Sequence, residues 1–285
     1  MDRSSGQSDT GSDPGQEGHP RGRLKTKVAF ISGAGSGIAK ASAKVFAGEG
    51  AKLVLADIDA ELGETTVQAI IESGGEAVFV RTDVTDEASV AAALTAGADR
   101  FGKIDILVNC AGGSVAEDAP VTDVDMDVWE RTINLDLKGP FLCCRCGIPY
   151  LKAAGGGSIV NFTSVVALRG SFAGHVYTAA KGGIISFTQA LAGRYWRDNI
   201  RANAIAPGIV LSDRVRARFN ISPDTSAPEQ IAAAMGLPSR LVDDRHPFGY
   251  GMPEDIANIV LFLASDESRM VNGAVIPAEG GASAY

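Results

Sequence analysis

Short, uninterrupted apolar runs alternate with longer stretches of mixed polarity from Lys27 to the end of the chain. The runs are VAFIS (28–32), AKLVLAD (51–57), EAVFV (76–80), IDILVN (104–109), SIVNFTS (158–164), IRANAIAP (200–207) and GAVIP (273–277). Apolar runs of this length, without polar alternation, mark strands buried on both faces of a parallel sheet. The segments between them, such as the helical pattern from Asp59 to Ser73, are long enough for crossover helices. Right-handed crossovers then predict a doubly wound parallel sheet of about seven strands flanked by helices, a single-domain Rossmann fold of the α/β class.

The first residues break this pattern. Residues 1–22, MDRSSGQSDTGSDPGQEGHPRG, carry almost no apolar side chains. Such a segment buries too little surface to offset its ordering entropy, so a disordered N-terminal tail is expected, with the folded domain over 23–285. An arm ordered by a subunit contact is the alternative.

Composition narrows the partners. The 285 residues are 45% hydrophobic, enough for one sizeable core, and the net charge is −8. An acidic chain argues against nucleic acid or an anionic membrane as a partner, since both favour a basic face. Cys110, Cys143, Cys144 and Cys146 offer neither a disulfide framework nor zinc-ligand spacing. They read as packing residues in a reducing compartment, and no metal site is expected. No apolar run reaches the roughly 18 residues of a membrane span, and the N-terminus lacks the apolar core of a signal peptide. The expectation is a soluble, cytoplasmic protein.

The first strand runs into Ser32-Gly33-Ala34-Gly35-Ser36-Gly37-Ile38-Ala39, which opens a helix. Glycines there let the backbone approach a pyrophosphate, whose charge the helix N-terminus stabilises. Alone, such a turn is a weak signal, equally a tight strand–helix connection. Asp57, followed by Ile58, closes the second strand. Its carboxylate suits the adenosine ribose hydroxyls and repels a 2′-phosphate, which favours NAD over NADP; the bland alternative is a solvated cap of the next helix. Asp83-Val84 and Asn109-Cys110-Ala111-Gly112 fall at the same carboxyl edge of the sheet, where open α/β folds bind ligands.

Tyr177 and Lys181 lie at i and i+4 in HVYTAAKGGIISFTQALA and share one helix face. By itself such a pair is usually helix surface. Ser164 ends the fifth strand, and Asn134 lies in WERTINLDLKGPF, a predicted helix. A nearby ammonium lowers a phenol from its ordinary pKa of about 10, so Tyr177 suits a general acid/base.

Together these motifs resemble the short-chain dehydrogenase/reductase family from about Leu24 to the C-terminus. Ser32-Gly33 through Gly37 and Ala39 resemble the family's TGxxxGxG turn, Asn109-Cys110-Ala111-Gly112 its NNAG segment, and Pro207-Gly208 its PG segment. Asn203, residues 252–265 and Glu279-Gly280-Gly281 resemble its closing motifs. The resemblance places the catalytic Asn, Ser, Tyr and Lys on Asn134, Ser164, Tyr177 and Lys181. It implies NAD along the sheet edge, with Ser164 holding the substrate oxygen and Tyr177 exchanging its proton. Lys181 would bind the nicotinamide ribose, and Asn134 would anchor a water leading to solvent. Pro207, Gly208 and Val210 would lie beside the nicotinamide, with Ser212 at its carboxamide. Ala39 in place of the third glycine, Cys110, Ser212 and Glu279 depart from the family pattern.

The resemblance also implies a mobile substrate loop over about 212–248 and a homotetramer. His175, at i−2 from Tyr177, points away from the Tyr/Lys face and suits a pocket or interface role. Arg214, Arg216 and Arg218 read as a solvated helix start or as recognition of an acidic substrate. The leading function is NAD-dependent interconversion of a secondary alcohol and a ketone, both small molecules. The alternatives are a 3-oxoacyl-carrier-protein reductase using NADPH and a non-catalytic NAD-sensing protein.

Overall fold

The computed structural model describes residues 22–170, 172–225, 227–236 and 250–283. The expected tail over residues 1–21, and residues 237–248 of the expected substrate loop, lie outside the described residues. The described chain begins anchored, with Gly22 and Arg23 donating backbone N–H to the Glu49 carboxylate at 2.8 and 3.0 Å.

The strands are β1 Val28–Ser32, β2 Lys52–Asp57, β3 Glu76–Arg81, β4 Ile106–Asn109, β5 Gly157–Phe162, β6 Ile200–Pro207 and β7 Val275–Ala278. They form one sheet in the order β3-β2-β1-β4-β5-β6-β7, and every pairing is parallel. Helices α1 Gly37–Gly48, α2 Ala60–Glu72, α3 Glu87–Phe101, α4 Met126–Ile133, α5 Gly139–Ala153 and α6 His175–Tyr195 follow successive strands. Two short helices, α7 Asp213–Arg218 and α8 Pro228–Ala234, precede α9 Pro253–Ala264.

The apolar runs lack alternation because both faces of the sheet are covered. Ala29, Ile31, Leu53, Leu55, Ile106 and Val108 pack into a core that includes residues of α1 and α9. Their neighbours Val28, Phe30, Val54, Ala56 and Leu107 pack into a second core with residues of α3, α5 and α6. The edge strands β3 and β7 differ from expectation, being only half-buried along most of their length. An edge strand has one neighbour instead of two, so its side chains meet less covering.

The predicted helix over WERTINLDLKGPF is also not uniform. After α4 the chain makes a π-helical turn over Asn134–Lys138 before α5 begins. Pro140 has no N–H to return to the Asp136 carbonyl, and Gly139 N–H reaches back to the Asn134 carbonyl instead. This wider turn sets which polar side chain of the segment points inward.

Candidate active site

A cleft of about 870 Å³ opens at the carboxyl ends of the strands, where the strand order reverses between β1 and β4. That volume lies in the range of ligand sites, and its position is the topological switch point of an open α/β sheet. A second cavity, about 430 Å³, sits at the amino ends of β4, β5 and β6, lined by Ile106, Gly157 and Ile200.

The walls of the cleft are pinned in part by residues that do not themselves line it. Ser32 Oγ accepts the N–H groups of Cys110 and Ala111 at 3.2 and 3.3 Å, which ties the end of β1 to the end of β4. Asn109 is buried below the floor and donates to Asn161 Oδ1 at 2.8 Å and Cys144 Sγ at 3.3 Å. Gly35 donates its N–H to Asp57 Oδ2 at 2.8 Å. Ser32, Gly35 and Asn109 are therefore framework here, although the sequence reading places them among the cofactor-binding residues.

The turn after β1 needs its glycines. Gly33 has φ 75°, and a Cβ there would lie 2.9 Å from the Ala111 Cα. Gly37 opens α1 with φ 55°. Ser36, the N-cap of α1, makes no side-chain cap bond, whereas Asp59 and Asp86 cap α2 and α3. The first-turn amides of α1 are thus left for an anion in the cleft lined by Gly33, Ser36, Gly37 and Ile38. Ala39 is packed into the core behind this turn.

Asp57 and Ile58 close one end of the cleft, with Asp83 and Val84 beyond β3 and Ala111 and Gly112 beyond β4. Pro207, Gly208, Val210 and Ser212 line the other side. Gly208 passes close to Glu279, 2.8 Å from a hypothetical Cβ to the Glu279 Cβ. Ser212 Oγ accepts the Val215 N–H at 3.4 Å and so caps α7.

Tyr177 and Lys181 project from the first turns of α6. The Lys181 Nζ lies 5.5 Å from the centre of the Tyr177 ring. Ser164, two residues beyond β5, lines the same cleft and pulls the phenol's pKa down. The start of α6 is held by Asp118, which accepts the N–H groups of Val176 and Tyr177 at 3.2 and 2.8 Å. His175 Nδ1 accepts the Val121 N–H at 3.0 Å, so the 113–124 loop is tied to the helix that carries the phenol.

Asn134 is not brought to this group. It is solvent-exposed, at the outer face of the π-helical turn. The side chain of that turn that reaches the lysine is Asp136, 1% exposed, with Oδ1 3.1 Å from Lys181 Nζ. The expectation that Asn134 serves the Lys181 end of the site, anchoring a water that leads to solvent, is corrected accordingly. Two residues along a helix reverse the facing direction, and the wide turn before Pro140 selects Asp136.

Electrostatics bind the cluster together. Burial pushes the Tyr177 phenol above its ordinary value and Asp136 adds to the rise, while Lys181, Arg214 and Ser164 pull it back. Burial disfavours the Lys181 ammonium, but the facing Asp136 carboxylate with its hydrogen bond and the Tyr177 phenol outweigh it and hold the pKa up. Burial pushes the Cys110 thiol up to about 12 against the pull of Lys181 and Arg214, so it stays neutral.

Some residues of the cleft escaped the sequence reading, although Arg214 and Arg218 did not. Arg169, Phe172 and Tyr250 line it, as do Arg214 and Arg218. Arg214 Nη1 donates to the Gly112 carbonyl at 2.9 Å and Arg218 Nη1 to the Ser114 carbonyl at 3.3 Å. Arg216 turns instead to the Ser222 carbonyl at 2.8 Å. Among the described residues no helix is long and apolar enough to cross a membrane, no His, Cys, Asp and Glu group could hold a metal, and all four cysteines are free.

Comparison with known proteins bears on the family and the fold. A family model described as enoyl-(acyl carrier protein) reductase matches residues 33–283. An uncharacterized oxidoreductase of Bacillus subtilis is 40% identical over 93% of this chain and 93% of its own. The cis-4-hydroxycyclohexanecarboxylate dehydrogenase of Sinomonas cyclohexanicum is 37% identical over 90% of this chain and 97% of its own. Among solved structures, a short-chain dehydrogenase/reductase from Burkholderia xenovorans superposes with a TM-score of 0.83 at 34% identity, covering 93% of this chain and 99% of that one.

Proposed function

The chain belongs to the short-chain dehydrogenase/reductase family of oxidoreductases, and from that premise we propose that it interconverts a secondary alcohol and a ketone with NAD. The observation that carries this reading is the Tyr177 phenol, held against Lys181 and Ser164 in the same cleft as the glycine turn and Asp57.

The family uses a nicotinamide cofactor, and the cleft fits one. The glycines at 33 and 37 leave room a Cβ would fill, and the amides at the start of α1 lack a side-chain cap. In this reading the Ser36–Ile38 turn takes the diphosphate and Asp57 takes the adenosine ribose. Ile58, Asp83, Val84, Ala111 and Gly112 flank the adenosine half, and Pro207, Gly208, Val210 and Ser212 the nicotinamide half. The carboxylate at Asp57 repels a 2′-phosphate, which is the argument for NAD over NADP.

When bound, the nicotinamide accepts a hydride from the carbinol carbon or returns one to the carbonyl carbon. Ser164 then holds the substrate oxygen. Tyr177 takes the hydroxyl proton in oxidation and supplies it in reduction. The Lys181 ammonium favours the phenolate and fixes its direction.

The substrate we propose is a hydroxyl on a carbon ring. The Sinomonas relative acts on a hydroxycyclohexane carboxylate, and the wall beside Tyr177 offers Phe162, Val165, Val166 and Phe172. Following NADH absorbance with cyclic secondary alcohols, against NAD and NADP in parallel, tests both parts. Turnover of a 3-oxoacyl thioester with NADPH, exceeding every NADH reaction, would favour the acyl-carrier alternative instead. A homotetramer is also proposed, supported by the apolar side chains Met126, Trp129 and Phe141 exposed at 65, 42 and 45% on α4 and α5; light scattering on the eluted protein tests it.

A further inference from the structure

The Lys181 ammonium is held by a carboxylate that is almost completely enclosed. Lys181 and Asp136 side chains are 4% and 1% exposed. Asp136 Oδ1 lies 3.1 Å from Lys181 Nζ and accepts the Gly113 N–H at 2.8 Å. The Phe162 carbonyl takes a second Nζ–H at 3.1 Å. The chain is shaped around this contact, since a Cβ on Gly112 would meet Asp136 Oδ1 at 2.3 Å. The other oxygen, Oδ2, is buried and has no hydrogen-bond partner among the described residues.

A charge buried this way is costly to keep unless it does something an uncharged side chain cannot. An amide at the same place would accept from Gly113 and from Lys181 with the same shape. What the carboxylate adds is a negative charge one side chain away from a phenol that must itself become negative. We infer that Asp136 is a positioning residue that fixes the Lys181 ammonium and offsets its charge, so that the Tyr177 phenolate forms at a higher pH than it would beside an amide.

The surroundings of the phenol allow this assignment to be separated from its neighbours. Lys181 faces it from α6, Arg214 from α7 and Ser164 from the end of β5, and all three favour the phenolate. Asp118 meets Tyr177 through its backbone N–H. Cys110 faces Lys181 from the end of β4 and stays a neutral thiol. Asp136 is the acidic group of this set that acts on the phenol through Lys181.

The inference rests on the reading of Tyr177 as the proton-transfer group, and the test separates the two. Asp136→Asn keeps the shape and the Gly113 contact while removing the charge. Its ascending limb for alcohol oxidation should move down by about one pH unit, raising turnover below the unaltered protein's limb up to about tenfold. Ketone reduction, which needs the protonated phenol, should fail at correspondingly lower pH. Asp136→Ser should shift the limb in the same direction with a lower kcat, because Lys181 loses its hold. The same shift should appear in the tyrosinate ultraviolet absorbance of the cofactor-free protein, taken as the difference from Tyr177→Phe. A limb and a phenolate titration that stay in place or move up overturn the inference, even if kcat falls. If the unaltered protein oxidises no alcohol, the functional reading fails, while the absorbance titration still decides the role of Asp136.

Discussion

Asp118 accepts the backbone N–H of Tyr177 at 2.8 Å, across 59 positions of sequence, and so fixes the first turn of the helix that carries the phenol. The second oxygen takes the Val176 N–H at 3.2 Å, and Gly174 passes so close that a Cβ would lie 2.6 Å from Asp118 Oδ2. A carboxylate at a helix start satisfies amides that have no partner within the helix and suits the dipole. Asp118→Ala should lower stability by about 1 kcal/mol in urea unfolding and reduce kcat more than cofactor affinity. An unchanged kcat would show that the start of α6 keeps its place without this cap.

Tyr177→Phe removes the group proposed to pass the substrate proton in both directions. Turnover should fall by roughly 10²–10⁴-fold, the usual worth of general acid/base catalysis. Cofactor binding, followed by calorimetry, should stay within a few fold. Retained turnover would sink the assignment.

The Asp57 carboxylate accepts N–H groups from Gly35 and Asp59 at 2.8 and 3.0 Å, so it is held where an adenosine ribose would meet it. Asp57→Ser removes the negative charge that repels a 2′-phosphate. The ratio of kcat/KM with NADP to that with NAD should rise by about 10- to 100-fold, the equivalent of one to two tenfold steps at 1.4 kcal/mol each. A ratio that stays constant would remove the electrostatic argument for NAD.

Gly33→Ala sets a methyl 2.9 Å from the Ala111 Cα in a backbone with φ 75°. Neither turn can yield without parting β1 from β4. The loss should be about 1–3 kcal/mol in chemical denaturation, with weaker cofactor binding. Normal stability would show that the two turns separate more easily than their contacts imply.

The buried Tyr177–Lys181 pair also sets an alkaline limit on the fold. Both groups have folded-state pKa values above their ordinary ones. A raised value means the folded state holds its proton longer, so this stabilisation is present at low pH. It is lost as pH rises through the folded pKa values, above about 10. Thermal unfolding should show Tm falling above that pH, with Tyr177→Phe losing part of the decline. A decline of the same size in Tyr177→Phe would place the cause elsewhere.

The local pattern of residues determined much of this protein. Uninterrupted apolar runs placed the strands of the parallel sheet, because two-sided burial leaves few polar positions in an inner strand. Asn109 and Asn161, among those it leaves, are paired with each other. The spacing of Tyr177 and Lys181 placed them on one helix face, and Gly33 and Gly37 marked a turn that needs positive φ. These are short-range effects, set by neighbours in sequence. The tertiary structure decided what depends on distant contacts. Strand order left β3 and β7 half-covered at the edges, and α7 brought the exposed Arg214 and Arg218 to the carbonyls of Gly112 and Ser114. Most consequential is the choice between Asn134 and Asp136. Both are polar, two residues apart on what reads as one helix, and the family resemblance favoured the asparagine. The missing N–H of Pro140 and the wide turn before it point Asp136 at Lys181 and Asn134 at water. That outcome depends on a backbone geometry that side-chain periodicity does not encode.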